Sequence, residues 1–300
     1  MNIEKMKYFM DLYECRSFTE TAKRNYISQA SISQYITSLE KEFDTQFFDR
    51  KVTPIRPTKA GDRFYQEARI LVKQYENMQD QMKNLSEKIV PKIRLAYTSV
   101  IDLQLLLPFI MFLREKDIRL QIVLEKVACK DIDAYVSNNL CDLALSFSDE
   151  FSNSHLTYIS LKEGHYNALV SRQHPLFEKE LITVEELYQY PLLMLSEEKM
   201  GESFHTMKER SIADGFFPKI ERTVDEFEAS FFYIISDNLI GFVTDGYDVE
   251  NFEGMIRSIP IDQSQHSYNI VLAYIDQNQN SGLKQFLETL SEYQKIQYPI

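Results

Sequence analysis

Short side chains that form hydrogen bonds are concentrated between residues 17 and 39, in the adjoining segments SFTETAKRNYI and SQASISQYITSL. Small hydroxyl and amide groups bury little apolar area, so such segments suit a surface that contacts a polar partner. Glutamine amides bind adenine in bidentate fashion, whereas hydroxyls and backbone amides hold phosphates. The residues with this chemistry are Thr19, Ser28, Gln29, Ser31, Ser33 and Gln34. The pattern predicts contact with double-stranded DNA.

Groups for catalysis or metal binding form no recognisable motif in the sequence. The three cysteines, Cys15, Cys129 and Cys141, are far apart, and no CxxC or HExxH occurs. The chain has only eight glycines and no glycine-rich phosphate loop. We therefore expect no catalytic residue, no metal and no cofactor.

Two alternatives remain open at the level of sequence. One is a redox switch that acts through Cys129 and Cys141, although cytosolic cysteines more often pack in a core. The other is a two-domain α/β enzyme. Its candidate catalytic residues are Cys129, Cys141, His155, His165 and His205.

Charge is distributed unevenly along the 300 residues, whose formal net charge is −12. Residues 1–90 contain 15 basic and 13 acidic side chains, whereas residues 91–300 contain 18 basic and 32 acidic ones. A slightly basic N-terminal part and an acidic remainder are expected when only the N-terminal part approaches a polyanion. No apolar run approaches the ~18 residues of a membrane span, and the charged N-terminus does not suit a signal peptide, so we expect no membrane contact and a cytoplasmic protein.

The polar segments are predicted to lie on two of three short helices. Apolar residues at helical spacing indicate a first helix over residues 3–13. Ser17, followed by Glu20, begins a second helix, and Ser28 begins a third that continues to about residue 42. A helix, a tight turn and a polar helix are typical of a helix-turn-helix.

A short β-ribbon, or wing, is predicted after the third helix, in FFDRKVTPIRPT. Its two prolines forbid a helix, and Lys51, Val52, Ile55 and Arg56 suit a two-stranded ribbon. Phe47 and Phe48 are expected to anchor it in the core. The residues of this segment predicted to contact DNA are Arg50, Lys51, Arg56 and Thr58.

A long helix is predicted over residues 58–87. Its apolar residues follow a spacing of four and three for three heptads, at Phe64, Ala68, Leu71, Tyr75, Met78, Met82 and Leu85. A long helix with such a stripe needs a partner, and a second copy of the chain is the simplest one. The alternative is that the helix packs on the C-terminal part of its own chain.

From Pro91 onward, predicted strands and helices alternate, which indicates a parallel or mixed sheet flanked by helices. Strands are predicted at KIRLAY, IRLQIVLEK and DLALSF, and a second group runs from YNALV to LIGFV. NIVLAYI and the last helix are expected to return to the first group. The predicted fold class is therefore α+β or α/β with several domains.

With these features in view, the chain resembles the LysR-type transcriptional regulators over nearly its full length. The specific part is residues 3–65, where KYFMDLYECRSFTETAKRNYISQASISQYITSLEKEF is similar to the helix-turn-helix of that family and FFDR…PTKAG to its wing. The resemblance implies a winged helix-turn-helix at residues 1–58, a dimerising linker helix at 59–88 and a two-lobed α/β effector domain at 91–300, similar to type 2 periplasmic binding proteins. The first lobe would comprise about 91–162 and 266–300, and the second about 163–265.

Several positions depart from the usual pattern of that family. Asn25 stands where a buried leucine is common, and Ala30 stands in place of a frequent proline. Gln34 occupies a position where arginine is frequent, which removes an arginine–guanine contact. Phe43-Asp44 replaces a Leu-Gly pair, and aspartate adopts the left-handed conformation less readily than glycine.

The resemblance also places a small-molecule effector between the lobes. The contacts that it implies are Thr98, Ser99, Ile101, Asp102, Ser146, Ser148, Ser203 and Thr244. These hydroxyls suit a small polar metabolite, and the charge of Asp102 leaves a zwitterionic or neutral effector open. A competing interpretation is that Ser99 and Asp102 form only a capping box.

The implied function is that of a ligand-responsive DNA-binding regulator without enzymatic activity. Its lobes would close about two crossings, near residues 162–164 and 262–266. The implied partners are double-stranded DNA, a small-molecule effector, further copies of the chain in a homodimer or homotetramer, and RNA polymerase.

Overall fold

The structure, a computed structural model, describes residues 2–84, 90–252, 254–262 and 266–297. The chain folds into two compact units, residues 1–89 and residues 90–300. Each unit has its own hydrophobic core, and each is described by itself.

Three helices begin the first unit: α1 (Ile3–Cys15), α2 (Phe18–Arg24) and α3 (Gln29–Glu42). Ser17 and Ser28 cap α2 and α3 as predicted, because their hydroxyls accept the backbone N–H groups of Glu20 and Ser31. The apolar faces of the three helices form one core, with Phe9, Leu12, Ala22, Ile32, Ile36 and Leu39. The polar face of α3 is left outside this core.

The wing is an antiparallel ribbon of β1 (Phe48–Asp49) and β2 (Arg56–Pro57). Phe47 and Phe48 are buried, as predicted. The prediction that Lys51, Val52 and Ile55 form the strands is wrong, since they lie in the connection between β1 and β2. Pro54, which has no N–H to donate, lies in this connection, whereas Pro57 is paired with Phe48 at the outer end of the ribbon.

The long helix α4 (Lys59–Asn84) follows the wing. Thr58 begins it as predicted, because its Oγ1 accepts the N–H of Gly61 at 3.1 Å. The same hydroxyl donates to the backbone oxygen of Gln46 at 2.7 Å, which ties the helix start to the segment before the wing.

The predicted apolar stripe of α4 is divided along its length. Phe64 packs on Phe9 with ring centroids 4.7 Å apart, and Ala68 is buried against Met6, so both stabilise the first unit itself. The stripe residues that stay at least 37% exposed are Leu71, Tyr75, Met78 and Met82. Leu85, the last predicted member, lies outside the described residues.

The second unit alternates strands and helices, as the sequence predicted. Its strands are β3 (Lys92–Tyr97), β4 (Gln121–Lys126), β5 (Leu143–Phe147), β6 (Thr157–Ser171), β7 (Ile182–Thr183), β8 (Leu192–Leu195), β9 (Ile220–Val224), β10 (Gly241–Thr244), β11 (Ile256–Asp262) and β12 (Ser267–Tyr274). Its α-helices are α5 (Leu107–Glu115), α6 (Cys129–Ser137), α7 (Val184–Leu187), α8 (Glu197–Met200), α9 (Glu202–Ala213), α10 (Phe227–Ser236) and α11 (Ser281–Gln297).

A mixed sheet of eight strands, in the order β4-β3-β5-β12-β6-β11-β7 with β10 also paired to β6, runs through this unit. In the first lobe, β3 is parallel to β4 and β5, and β12 is antiparallel to β5. The long β6 belongs to both lobes, because residues 157–165 pair with β12 whereas residues 166–171 pair with β10 and β11. The parallel pair β8-β9 belongs to the second lobe. The lobe boundaries given above remain predictions.

Three details of this unit differ from the sequence prediction. The helix expected from Val100 begins as a 3-10 turn at Asp102–Leu106 and becomes α5 at Leu107, where Pro108 suits a first helical turn. The strand predicted at IRLQIVLEK begins only at Gln121, and its Leu124 is 53% exposed because β4 is an edge strand. Strand β11 was not predicted at all.

Within the described part of the chain, no helix is both long enough and apolar enough to span a membrane.

Candidate functional site

The outer face of α3 gathers most of the residues that the sequence predicted for DNA contact. Ser28, Gln29 and Gln34 are exposed, whereas Ser31 and Ser33 are half-buried. The hydroxyls of Ser28 and Ser31 lie 2.8 Å apart at the start of the helix. Thr19 of α2 is exposed beside them, and its hydroxyl lies 3.4 Å from Oε1 of Gln29.

A shallow groove follows this face toward the end of α3. Its lining residues are Ala30, Ser33, Gln34, Thr37, Ser38 and Lys41. Sequence reasoning named Ser33 and Gln34 but missed Thr37, Ser38 and Lys41 as site residues. Their spacing of three and four residues along the polar face is the signal that identifies them.

The basic residues near the wing are not equivalent. Nη2 of Arg50 lies 2.6 Å from Oε2 of Glu40, and its guanidinium lies over the ring of Phe18. Arg50 is exposed, but its guanidinium is engaged by Glu40, and its contact with DNA stays a prediction. Lys51 and Arg56 are exposed, and within the part of the chain that the structure describes neither forms an ion pair. Their charge is available to phosphates.

The positions that depart from the common pattern are accommodated by hydrogen bonds and backbone conformation. Nδ2 of Asn25 donates to Oδ2 of Asp11 at 2.8 Å and to the backbone oxygen of Thr21 at 2.9 Å, so a polar contact stands where a leucine is common. Asp44 adopts the left-handed conformation with φ of 48°. The chain therefore forms this turn without glycine.

In the second unit, a cavity of about 580 Å³ lies between the two lobes. Its walls are the ends of β3, β4 and β5 and the start of α6 in one lobe, and β8, β10 and the starts of α9 and α10 in the other. The aromatic and methionine side chains on these walls were not predicted, since they are scattered in sequence. They are Phe147, Tyr166, Met194, Met200, Met207, Phe227, Phe242 and Tyr247.

Six of the eight predicted effector contacts line this cavity. They are Thr98, Ser99, Ile101, Asp102, Ser203 and Thr244. Ser146 and Ser148 are not among its lining residues, and their contact with an effector stays a prediction. Ser146 is buried, and its hydroxyl lies 2.8 Å from that of Thr98, so it supports a wall residue from behind.

The hydroxyl of Ser99 accepts the N–H of Ile101 at 3.2 Å. The local cap that the sequence left open therefore exists, but its partner is Ile101. Asp102 takes no part in it: the structure shows no reciprocal bond to Ser99.

The N-terminus of α9 is closed by a carboxylate from the other lobe. Glu150 accepts the backbone N–H of Glu202 at 3.1 Å and that of Ser203 at 3.0 Å, and the Ser203 hydroxyl donates to it as well. Burial raises the pKa of Glu150, and these hydrogen bonds oppose that rise. Ser203 thus has a partner within the chain, and the free amides of this helix are used.

Asp102, unlike Glu150, is a buried carboxyl group with an oxygen that lacks a hydrogen-bond partner among the described residues. Its side chain is 5% exposed, and its Oδ2 has no hydrogen-bond partner among the residues that the structure describes. Burial raises the pKa of Asp102 to about 6, and the charge of Lys162 opposes this rise only in part. The ammonium of Lys162 is instead bound to Asp245, through its backbone oxygen and its carboxylate.

The two cysteines of the redox alternative carry protonated thiols. Burial, with the nearby charge of Glu150, raises the pKa of Cys129 to about 12. Burial, with the charge of Asp142, raises the pKa of Cys141 to about 12 as well. Because the thiolate is the reactive form, both environments disfavour oxidation by peroxide.

The first predicted crossing, residues 162–164, is a continuous part of β6. A Cβ atom at Gly164 would lie 2.3 Å from Oδ2 of Asp245, so any other residue here would have to displace this carboxylate. The second crossing begins at the end of β11, and its residues 263–265 lie outside the described residues. His266 follows, with Nε2 at 2.6 Å from the hydroxyl of Tyr188.

Comparisons with known proteins match both units. Residues 3–62 match the family described as bacterial regulatory helix-turn-helix protein, lysR family, and residues 87–295 match the LysR substrate binding domain. The nitrogen assimilation regulatory protein nac of Klebsiella aerogenes is 33% identical over 89 residues, which are 30% of this chain and 29% of that protein. The regulator AlsR of Bacillus subtilis (strain 168) is 21% identical over 295 residues, covering 96% of this chain and 94% of AlsR. In four relatives that include nac, the chain spans 29% to 62% of their length, which is less than two thirds.

Solved structures show the same fold. The crystal structure of CbnR, a LysR family transcriptional regulator, has a TM-score of 0.72 at 16% identity and covers 97% of this chain and 99% of CbnR. Full-length CbnR complexed with its target DNA has a TM-score of 0.70 at 18% identity, with the same coverage of both chains. Because the substrate binding domain alone matches more than half of the residues, the chain belongs to the LysR family of transcriptional regulators.

Proposed function

We propose that this protein is a DNA-binding transcriptional regulator, active in the cytoplasm, whose DNA-bound state responds to a small molecule held between the two lobes of its second unit. The observation that carries the proposal is the outer face of α3. One side of that helix is fully buried at Ile32, Ile36 and Leu39, and the other presents hydroxyls and amides to solvent. A capped helix with this polarity in a helix-turn-helix suits the major groove of DNA.

The proposed readout divides between base and backbone contacts. Gln29 and Gln34 are the exposed amides on α3, and each has the two hydrogen-bonding groups that recognise adenine. Thr19, Ser28, Ser31, Ser33 and Thr58 are proposed to hold phosphates by their hydroxyls. Lys51 and Arg56 add positive charge from the wing, and we assign Arg50 a supporting role because Glu40 binds it.

The test compares variants on an operator selected from random DNA by the wild-type protein, using fluorescence anisotropy at several salt concentrations. Gln29→Ala is expected to weaken specific binding by about 1–3 kcal/mol and to relax base preference. Arg56→Ala is expected to weaken all sequences similarly and to reduce the slope of affinity against salt by about one. Gln66→Ala, an exposed glutamine on α4, serves as the matched control. Wild-type behaviour of both test variants on operator and random DNA would refute the assignment.

We propose that the protein binds DNA as a homodimer through the exposed part of the α4 stripe. Four apolar residues in two heptads, Leu71, Tyr75, Met78 and Met82, are exposed on one face. Single exposed apolar residues are ordinary, but an aligned row of this kind on a helix is typical of a helix–helix contact. Assembly of two dimers into a homotetramer and contact with RNA polymerase remain further predictions.

The cavity supports a ligand-responsive regulator over the two alternatives. A redox switch needs a thiolate, whereas Cys129 and Cys141 are held as thiols. The enzyme alternative is disfavoured because both matching family models belong to transcriptional regulators. A cavity enclosed by two lobes that share β6 instead suits a ligand whose binding changes the lobe arrangement.

A further inference from the structure

The wall of the cavity contains one buried carboxyl group without a hydrogen-bond partner at one of its oxygens. Asp102 is 95% buried, and Oδ2 has no partner within the described part of the chain. Buried carboxylates in proteins are normally paired or bonded to several donors, since an uncompensated buried charge is costly. The missing donor is therefore expected from a molecule that enters the cavity.

Two of the groups that could bind an anion at this cavity already have partners within the chain. Glu150 accepts both backbone N–H groups at the start of α9 that face the first lobe. The hydroxyl of Thr98 is paired with that of Ser146. A ligand carboxylate beside Asp102 would therefore find neither of these donors free and would be repelled by the charge of Asp102.

The charged residues of the wall also favour a cation. Four acidic side chains, Asp102, Asp225, Glu226 and Glu228, line the cavity together with two basic ones, Lys126 and Lys199. Nζ of Lys199 lies 3.5 Å from Oε1 of Glu226, so one of the two cations is neutralised locally. The remaining field is negative, which raises the local concentration of a positively charged ligand.

The rest of the wall is apolar and aromatic. Rings of Phe147, Tyr166, Phe227, Phe242 and Tyr247 surround the space. Aromatic faces stabilise cations as well as apolar groups, so they suit a ligand that combines the two.

We propose that the effector carries a protonated amine that donates a hydrogen bond to Asp102, and that an apolar, preferably aromatic, body of the same molecule fills the space between the rings. This inference rests on the proposed function, because it names the ligand class of the proposed effector site. It assigns to Asp102 the role of ligand-pairing residue, and to the Ser99 hydroxyl the role of fixing the turn that presents Asp102.

The test uses three probes of similar size: phenethylamine, phenethyl alcohol and phenylacetate. Their dissociation constants are measured on the full chain by isothermal titration calorimetry. The amine is expected to bind about tenfold or more tightly than either of the other two probes. Asp102→Asn keeps the shape of the side chain and is expected to reduce amine binding to the level of the alcohol. Asp276→Asn removes an exposed carboxylate after β12 and is expected to leave the ranking unchanged.

The outcomes separate this inference from the proposed function. Equal affinities, a preference for phenylacetate, or an amine preference that persists in Asp102→Asn would each overturn the cation assignment. Absence of amine binding to the wild-type chain would overturn it too. If Asp102→Asn does not fold, the ranking of the three probes on the wild-type chain decides alone. Operator binding is measured on the same samples. If the wild-type chain does not bind operator DNA, the proposed function is refuted instead.

Discussion

Asp102 should make the free protein less stable at neutral pH than at acid pH, and its replacement by asparagine should remove this dependence. The pKa of Asp102 is about 6 in the folded chain, against its usual value of 3.8. When folding raises the pKa of a carboxyl group, ionising that group in the folded chain costs free energy. The folded chain therefore becomes less stable relative to the unfolded chain as the pH rises through the two pKa values. With about 1.4 kcal/mol per pKa unit, the wild type loses about 3 kcal/mol as the pH rises from below 4 to above 6.

The Asp102→Asn variant keeps the shape of the side chain without its charge. The free energy of unfolding of the variant should therefore increase relative to that of the wild type as the pH rises. This increase should be about 3 kcal/mol between about pH 3.5 and pH 8, and roughly half of it should occur between about pH 5 and pH 8. Besides burial, the group that acts on the pKa of Asp102 is Lys162 of β6, whose positive charge favours the ionised form. The charge of Asp102 in turn raises the pKa values of Cys129, Tyr166 and Tyr268, which face it from α6, β6 and β12.

The measurement is urea-induced unfolding monitored by far-ultraviolet circular dichroism at about pH 5, 6 and 8. It is made on the wild type, Asp102→Asn and Asp276→Asn. Asp276→Asn controls for the loss of one exposed charge and should change the free energy of unfolding by less than about 0.5 kcal/mol. A difference between Asp102→Asn and wild type that is the same at every pH would refute the reasoning. So would an asparagine variant that is less stable than wild type at about pH 8.

Two further predictions follow from contacts described above. Leu71→Asp places a charge in the exposed stripe of α4 and should abolish both dimerisation, measured by light scattering, and operator binding, measured by anisotropy. Gln66→Asp, on another side of the helix, should change neither. A monomeric wild type that still binds a two-fold operator tightly would contradict this prediction. Glu150→Ala leaves two backbone N–H groups at the start of α9 without their acceptor and should destabilise the second unit by about 1–3 kcal/mol in thermal unfolding. Glu115→Ala, at the exposed end of α5, is the control, and equal stability of the two variants would show that Glu150 is not needed as a cap.

The first unit was largely predictable because its signals are local. Ser17 and Ser28 act as caps through atoms only three residues away, and the apolar spacing of α3 decides which face is buried. The ribbon was placed correctly but its strands were not, since the register depends on pairing between Phe48 and Pro57 rather than on the propensity of Val52 or Ile55.

The stripe of α4 shows where local pattern stops being sufficient. Spacing alone treats Phe64 and Met82 as equivalent members of one row. The tertiary structure separates them, because α1 packs on the first part of the row, where Phe64 contacts Phe9, and leaves Met82 exposed. A periodic pattern records that a face is apolar, but only the position of neighbouring helices decides what covers it.

The sequence by itself determined the helix-turn-helix, the alternation of strands and helices, and the placement of hydroxyls at strand ends. The tertiary structure decided which of these groups remain available to a partner. Glu150 and Ser203 are 53 residues apart in the chain, yet their contact closes the start of α9. Oδ2 of Asp102, which belongs to a carboxyl group of the same kind, has no comparable partner among the described residues. Burial and hydrogen-bond satisfaction depend on contacts between distant segments, and for this reason one carboxylate caps a helix while the other keeps an oxygen that no described residue satisfies.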